Sequence, residues 1–207
     1  MIDHVARGVE LSRKLGLPVL KRPCTYYRKQ VDSPGSCSAV WICDDNITVL
    51  KSPLTFHLDG CDERESRKYK DFEQESAMLI EREKKIYSHL GRYPGILHCI
   101  GISDAGLKFP YMKNGSLRPF LRNTKVEIPF LVKLNWIKTA LATFDFIHSK
   151  GVVQADVSAR NFLVTDDQSI VLSDFSGSMI GDEKNEVRPE THYQKQGEEP
   201  VKNFDRD

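Results

Sequence analysis

The sequence has no surplus of charge of either sign, since 30 basic and 29 acidic residues among 207 leave a formal net charge of +1. Proteins that bind nucleic acids or membrane surfaces usually carry clustered basic residues. We therefore expect neither a nucleic acid nor a membrane among its partners. The first 20 residues contain charges throughout and no continuous apolar run, so we also expect no signal peptide and no membrane span. These features favour a cytoplasmic or nuclear protein.

Cysteine is too sparse and too scattered to define a site. The five cysteines are odd in number and include no C-x-x-C pair. Disulfide frameworks use even sets of cysteines, and zinc sites use closely spaced pairs. The pattern argues against both and fits a reducing compartment, where these side chains act as small apolar residues.

The first half of the chain predicts one short helix followed by strands. Residues 1–24 have amphipathic helical spacing that ends near Gly16 and Pro18. Three strands are then expected as a meander joined by polar turns, over Tyr26–Gln30, Ala39–Cys43 and Ile47–Lys51. Residues 52–70 are polar and mixed in charge, which predicts a surface insertion. A helix over residues 71–90 follows, and Asp71 and Gln74 have the spacing of a capping box at its start.

Glu83 occupies an unusual position on this predicted helix. It lies on the same apolar stripe as Leu79, Ile86 and Leu90, where a core side chain is expected. A buried carboxylate needs a cationic partner, and Lys51 at the end of a predicted strand is the obvious candidate. The alternative is that Glu83 lies at the rim of the stripe and Lys51 is solvated.

The second half predicts two more strands, Leu97–Ile102 and Gly106–Tyr111, and then helices. The longer helix ends at Gly151, where a glycine can adopt the left-handed cap conformation. Its apolar positions recur at helical spacing and predict a core face: Leu131, Leu134, Ile137, Leu141, Phe144 and Ile147.

Three polar residues flank a predicted hairpin beyond this helix. The hairpin strands, Phe162–Thr165 and Ile170–Ser173, are preceded by Asp156 and Asn161 and followed by Asp174. A carboxylate and an amide oxygen suit Mg²⁺, which takes one or two protein ligands and completes its shell with water and phosphate. We therefore expect Asn161 and Asp174 to bind Mg²⁺, and Asp156 to be free to act as a base.

Over nearly its whole length after residue 25, the sequence resembles the protein kinase family. In the first half, Val49-Leu-Lys51 resembles the strand-three V-A-I-K, and Glu83 resembles the helix-C glutamate. The segment from Pro110 to Leu117 is similar to the hinge, with Phe109 in the gatekeeper position.

The catalytic motifs of the family have counterparts in the second half. Gln154-Ala-Asp156 through Asn161 is similar to H-R-D-x-x-x-x-N, and Asp174-Phe-Ser176 is similar to D-F-G. Five signatures in the family's order are more specific than any one of them alone. The D-F-S-G-S run is also similar to a divergent group of fungal kinase-like proteins.

This resemblance implies an α+β, two-lobe kinase fold. Residues 1–24 would be an N-terminal extension, 25–112 the β-rich small lobe that binds ATP, and 113–207 part of a helical large lobe. The implied reaction transfers the γ-phosphate of ATP, with Mg²⁺, to a serine, threonine or tyrosine hydroxyl of a protein substrate.

The resemblance also implies a role for each matching residue. Lys51, oriented by Glu83, would hold the α- and β-phosphates, and Asp156 would orient and deprotonate the acceptor hydroxyl. Asn161 and Asp174 would coordinate Mg²⁺. The remaining nucleotide-binding positions would be Gly35, Val40, Phe109 and Tyr111.

Several positions depart from the family pattern. Gln154 and Ala155 replace His and Arg of H-R-D, so we expect any activity to be independent of activation-loop phosphorylation. Only Gly35 remains of the glycine-rich loop, which weakens the expected grip on phosphates. The alternatives are therefore a pseudokinase or nucleotide-binding interaction module, and a small-molecule kinase such as the aminoglycoside and choline phosphotransferases.

The sequence after Asp174 ends about where the family places a buried helix of the large lobe. We therefore expect an incomplete large lobe in which Leu131, Leu141, Phe144 and Ile147 face water. An exposed apolar face of this kind predicts marginal stability, poor solubility or a partner that covers it.

Overall fold

The computed structural model describes residues 4–23, 27–31, 37–123 and 127–181. The elements are, in chain order, α1 (His4–Leu15), β1 (Val19–Leu20), β2 (Tyr27–Gln30), β3 (Ala39–Cys43), β4 (Thr48–Ser52), β5 (Phe56–His57), α2 (Glu63–Leu90), β6 (Gly101–Ser103), β7 (Gly106–Pro110), α3 (Leu117–Asn123), α4 (Phe130–Ser149), β8 (Val152–Val153), β9 (Phe162–Val164), β10 (Ile170–Leu172) and β11 (Met179–Ile180).

A five-stranded antiparallel sheet forms the first lobe. Its strand order is β2-β3-β4-β7-β6, so the predicted meander is confirmed as β2, β3 and β4. In β3, Ala39, Trp41 and Cys43 are buried and the intervening residues are less so, as expected for a strand with one face on a core. β6 begins later than predicted, at Gly101.

Residues 52–70 do not form a surface insertion, and that prediction is wrong. They contain β5 and the first two turns of α2, which begins at Glu63 rather than near Asp71. The N-cap is Asp62, whose Oδ1 accepts a hydrogen bond of 2.8 Å from the backbone N–H of Glu65. Asp62 and Glu65 therefore have the capping-box spacing that was assigned to Asp71. The charged residues after Asp62 are good helix formers, although they look like a solvated loop.

The long helix α4 is only partly covered. It ends before Gly151, which has the expected positive φ of 70°. Ile147 is fully buried and Phe144 half-buried, so the expectation that both face water is wrong. Leu131, Ile137 and Leu141 are exposed by 69%, 57% and 63%. They are therefore not the core residues that their spacing predicts, and the expected exposure of Leu131 and Leu141 is confirmed.

The two halves of the described chain share one continuous apolar core. Leu107 of the sheet, Ile80 of α2 and Leu172 of β10 belong to the same buried cluster. The backbone around Ile96 joins the halves further, because the N–H of Leu97 donates to the carbonyl of Leu172 at 2.8 Å. This packing fixes the β9–β10 hairpin against the sheet and creates a cleft between them. Among the described residues, no helix is long and apolar enough to cross a bilayer.

Candidate active site

A cleft of about 340 Å³ lies between the sheet and the β9–β10 hairpin. Its walls come from β3, β4 and β7 on one side and from the segments around β9 and β10 on the other. Seven of the predicted site residues line it: Val40, Lys51, Glu83, Phe109, Tyr111, Asn161 and Asp174. Gly35 lies outside the described residues. Asp156 is not part of the cleft wall and reaches it through Asn161.

Lys51 lies between two carboxylates inside the cleft. Its Nζ is 2.7 Å from Oε2 of Glu83 and 2.8 Å from Oδ1 of Asp174. Glu83 is fully buried, and only 9% of the Lys51 side chain is exposed. The structure thus brings together the strand lysine and the helix glutamate, as the stripe pattern predicts. The alternative of two solvated side chains is wrong.

The charges of this cluster are coupled. Burial lowers the pKa of the Lys51 ammonium, but the charges of Asp174 and Glu83 outweigh burial and raise that pKa above its usual value. Burial likewise favours a neutral Asp174, yet the charge and hydrogen bond of Lys51 and the bonds from Ser176 lower the pKa of its carboxyl to about 2. Burial raises the pKa of Glu83, and the Lys51 charge opposes this rise. Lys51 and Asp174 are therefore charged at neutral pH.

Asp174 has a left-handed backbone that the surrounding residues support. Its φ is 60°, a conformation that few residues other than glycine adopt, although aspartate tolerates it better than most. The buried Gln154 donates from Nε2 to the Asp174 carbonyl at 2.9 Å, and the Ser178 hydroxyl donates to Gln154 Oε1. The Ser176 hydroxyl donates to Asp174 Oδ1 at 2.7 Å. Gln154 and Ser176 thus position Asp174, although the sequence marks them only as departures from a motif.

Asn161 connects Asp156 to the hairpin. Its Nδ2 donates to the carbonyl of Asp156 at 2.8 Å and to Oδ2 of Asp156 at 2.9 Å. The backbone carbonyl of Asn161 accepts hydrogen bonds from the N–H of Ser173 at 2.7 Å and from the Ser173 hydroxyl at 2.9 Å. The hairpin therefore holds Asp156, Asn161 and Asp174 close together, as its pattern predicts.

The sequence pattern described as protein tyrosine and serine/threonine kinase matches residues 64–202, which is more than half of the chain. The chain belongs to the protein kinase family. Two curated kinases are similar at low identity. The serine/threonine-protein kinase kinX of Dictyostelium discoideum is 27% identical over 105 residues, covering 49% of this chain and 9% of that protein.

The second relative is a serine/threonine-protein kinase/receptor of Acanthamoeba polyphaga mimivirus. It is 28% identical over 113 residues, which cover 53% of this chain and 7% of the viral protein. The chain therefore spans less than a tenth of the length of either kinase. The α+β, two-lobe kinase-like fold that the sequence predicts is confirmed.

The rear of the kinase cleft contains a cluster of aromatic rings that the sequence patterns did not predict. The Tyr87 ring lies 5.1 Å from the Phe109 ring and 5.2 Å, edge to face, from the Phe175 ring. Tyr87 and Phe175 are both buried. Helical spacing could have predicted the position of Tyr87, because it lies four residues after Glu83 and therefore on the same face of α2. Contacts of this kind join α2 to the segment that contains Asp174.

Proposed function

We propose that the chain is the ATP-binding part of a protein kinase that transfers the γ-phosphate of Mg-ATP to a serine, threonine or tyrosine hydroxyl of a protein. The observation that supports this proposal best is the Lys51 ammonium, held between the Glu83 and Asp174 carboxylates at the back of a cleft. A cation that is fixed in a largely buried site is suited to bind phosphate oxygens, since its attraction is stronger there than in water.

The donor set in the cleft fits Mg²⁺. The described hydrogen bonds to the Asp174 carboxylate, from Lys51 and Ser176, all end on Oδ1, which leaves Oδ2 for a cation. Asn161 uses its Nδ2 to bind Asp156, so its Oδ1 can serve as the second protein ligand. One carboxylate and one amide oxygen are typical of Mg²⁺ sites that keep water and phosphate in the rest of the shell. Bound Mg²⁺ would neutralise phosphate charge.

The remaining residues would orient the two substrates. Lys51 would bind the α- and β-phosphates. Its ion pair with Glu83 would hold the ammonium in place, so that it does not pair with Asp174 alone. Val40, Phe109 and Tyr111 would surround the nucleotide. The half-buried Asp156 accepts the Asn161 amide on Oδ2, so its Oδ1 would accept the proton of the acceptor hydroxyl. Its hydrogen bonds to Asn161 would hold this carboxylate near the phosphate.

A nucleotide-binding module without transfer activity is the second candidate. It is favoured by residues 33–40, in which Gly35 is the one remaining glycine of the phosphate-binding loop. Fewer glycines restrict how closely a backbone can approach the phosphates. Such a module would still bind Mg-ATP but would not transfer phosphate.

Thermal unfolding with and without Mg-ATP tests the nucleotide site. A ligand at one hundred times its dissociation constant stabilises the folded state by about 2.7 kcal/mol. We expect this gain in the native chain and its loss in Lys51→Met and Asp174→Asn. The control is Lys108→Met, because the Lys108 side chain is 45% exposed on the neighbouring strand β7. A folded native chain that gains no stability would overturn the proposal.

Phosphate transfer to a panel of protein acceptors separates the two candidates. The kinase proposal predicts incorporation of labelled phosphate that Asp156→Asn abolishes while Mg-ATP binding is retained. Binding of Mg-ATP without incorporation into any acceptor would favour the nucleotide-binding module.

A further inference from the structure

The N-terminal segment packs on the kinase lobe, although the family match begins only at residue 64. β1 pairs antiparallel with β5, placing Val19 opposite His57 and Leu20 opposite Phe56. The N–H of Lys21 extends this pairing with a bond of 2.7 Å to the carbonyl of Thr55. Residues 4–23 are thus attached to the connection between β4, which carries Lys51, and α2, which carries Glu83.

The contact between α1 and this connection is close. Ser12 is fully buried, and its hydroxyl lies 3.0 Å from the carbonyl oxygens of both Leu17 and His57. Gly60 approaches α1 so closely that a Cβ there would lie 2.3 Å from the carbonyl oxygen of Ser12 and 2.6 Å from Cα of Arg13. Atoms cannot approach to these distances without a backbone shift. The close packing therefore depends on glycine at position 60.

The same connection is bonded to the middle of α2. The N–H of Phe56 donates to Oε1 of Glu73 at 2.5 Å, and the N–H of Leu54 donates to the Ser76 hydroxyl at 2.8 Å. The Ser76 hydroxyl in turn donates to the carbonyl of Cys37 at 2.6 Å. Ser76 is buried, and Glu83 lies seven residues, or about two turns, further along the same face of α2.

We propose that residues 4–23 are an intramolecular brace that positions α2, and through it Glu83, for the ion pair with Lys51. The proposal rests on the proposed function, because its consequence is tighter binding of Mg-ATP. β1 gives the short strand β5 its pairing partner. The N–H of Phe56 in β5 donates to the Glu73 side chain, and the N–H of Leu54, just before β5, donates to the Ser76 side chain. Without the brace, residues 53–62 lose that support and α2 can shift away from Lys51. Ser12 and Gly60 are positioning residues, since neither lies in the cleft.

Two perturbations of the 207-residue chain test the brace. One variant lacks residues 1–16 and so removes α1. Because this truncated chain can fail to fold, Gly60→Ala serves as the milder perturbation. The matched control is Gly101→Ala at the start of β6, where an added Cβ meets no atom within 4 Å. Hydrogen exchange of residues 4–15 and 73–83 and the affinity for Mg-ATP are measured in each protein.

We expect Gly60→Ala to speed amide exchange in both segments and to weaken Mg-ATP binding by at least about fivefold, the lower end of typical coupling between distant sites. Gly101→Ala should behave like the native chain. Faster exchange in residues 4–15 alone, with 73–83 and the affinity as in Gly101→Ala, would overturn the brace. Unchanged exchange in residues 4–15 would contradict the close packing on which it depends. If the native chain binds no Mg-ATP, the proposed function fails, while the exchange of residues 73–83 still decides the inference.

Discussion

The substitution Glu83→Gln tests the charge cluster with almost no change in side-chain volume. Glu83 is fully buried, its Oε2 lies 2.7 Å from Nζ of Lys51, and its Oε1 accepts a bond of 3.2 Å from the N–H of Phe175. Glutamine can keep the bond from Phe175. It cannot keep the ion pair, because it removes the negative charge that faces the Lys51 ammonium.

The size of the effect follows from what Lys51 retains. Breaking a buried pair and leaving an uncompensated charge costs about 3–5 kcal/mol. In Glu83→Gln the Lys51 ammonium still has Asp174 at 2.8 Å, so we expect the lower loss of about 1–3 kcal/mol in the free energy of unfolding. Lys51 would then be held by Asp174 alone and be less available to phosphates. We expect the affinity for Mg-ATP to fall about tenfold, or about 1.4 kcal/mol.

Urea unfolding and calorimetric titration with Mg-ATP measure the two effects. The fluorescence of Trp41 in the sheet and Trp136 in α4 reports on both halves of the described chain. The matched control is Glu81→Gln on the same helix, since Glu81 also makes an ion pair, with Lys84 at 2.6 Å, but its side chain is 63% exposed. This control should lose at most about 0.5 kcal/mol. Equal losses in the two variants, with equal affinities for Mg-ATP, would refute the argument.

Three further results are expected. The pKa of Asp174 is about 2 in the folded chain, compared with 3.8 for an aspartate that lacks these contacts. Its charge therefore stabilises the fold above about pH 4, and this stabilisation is lost as the pH falls towards 2. In urea unfolding, the free energy of unfolding should fall less on acidification in Asp174→Asn than in the native chain, and parallel curves would contradict this. Gln154→Leu should weaken Mg-ATP binding in titrations, because the Asp174 carbonyl loses its buried hydrogen-bond donor at a cost of about 1–3 kcal/mol. Gln154→His retains a ring N–H that can donate to this carbonyl, so it should keep most of the affinity. Equal binding by both variants would contradict this. Ile147→Ala should lower the free energy of unfolding by about 2–5 kcal/mol, because Ile147 is fully buried. Leu141 is exposed on the same helix, so Leu141→Ala should change this free energy by less than about 0.5 kcal/mol. Similar losses for the two variants in urea unfolding would contradict the difference in burial between these two side chains.

Local patterns predicted much of the small lobe and the hairpin. The meander of β2, β3 and β4 follows from short β-rich runs separated by polar turns, and the position of Glu83 follows from the helical period. The start of α2 was missed because a run of alternating charges fits both a solvated loop and an exposed helical turn. The real signal was the pair Asp62 and Glu65, which has the same spacing as the chosen pair at Asp71.

The exposed side of α4 shows a second limit of sequence patterns. Leu141 and Ile147 have the same helical periodicity, yet Leu141 is 63% exposed and Ile147 is fully buried. Periodicity identifies an apolar face, but it does not say which part of that face another element covers. Coverage depends on where β8 and β10 pack against the helix, and that is a property of the tertiary structure.

The sequence by itself predicted which side chains line the candidate site, namely a strand lysine, a helix glutamate and two polar residues that flank one hairpin. These assignments depend on spacing within a single element or motif, which the order of residues contains directly. The tertiary structure alone decided that Gln154 supports the backbone of Asp174 and that β1 pairs with β5. Such contacts join residues that are far apart in the chain. They depend on how whole elements pack together, and a local sequence pattern contains no information about that packing.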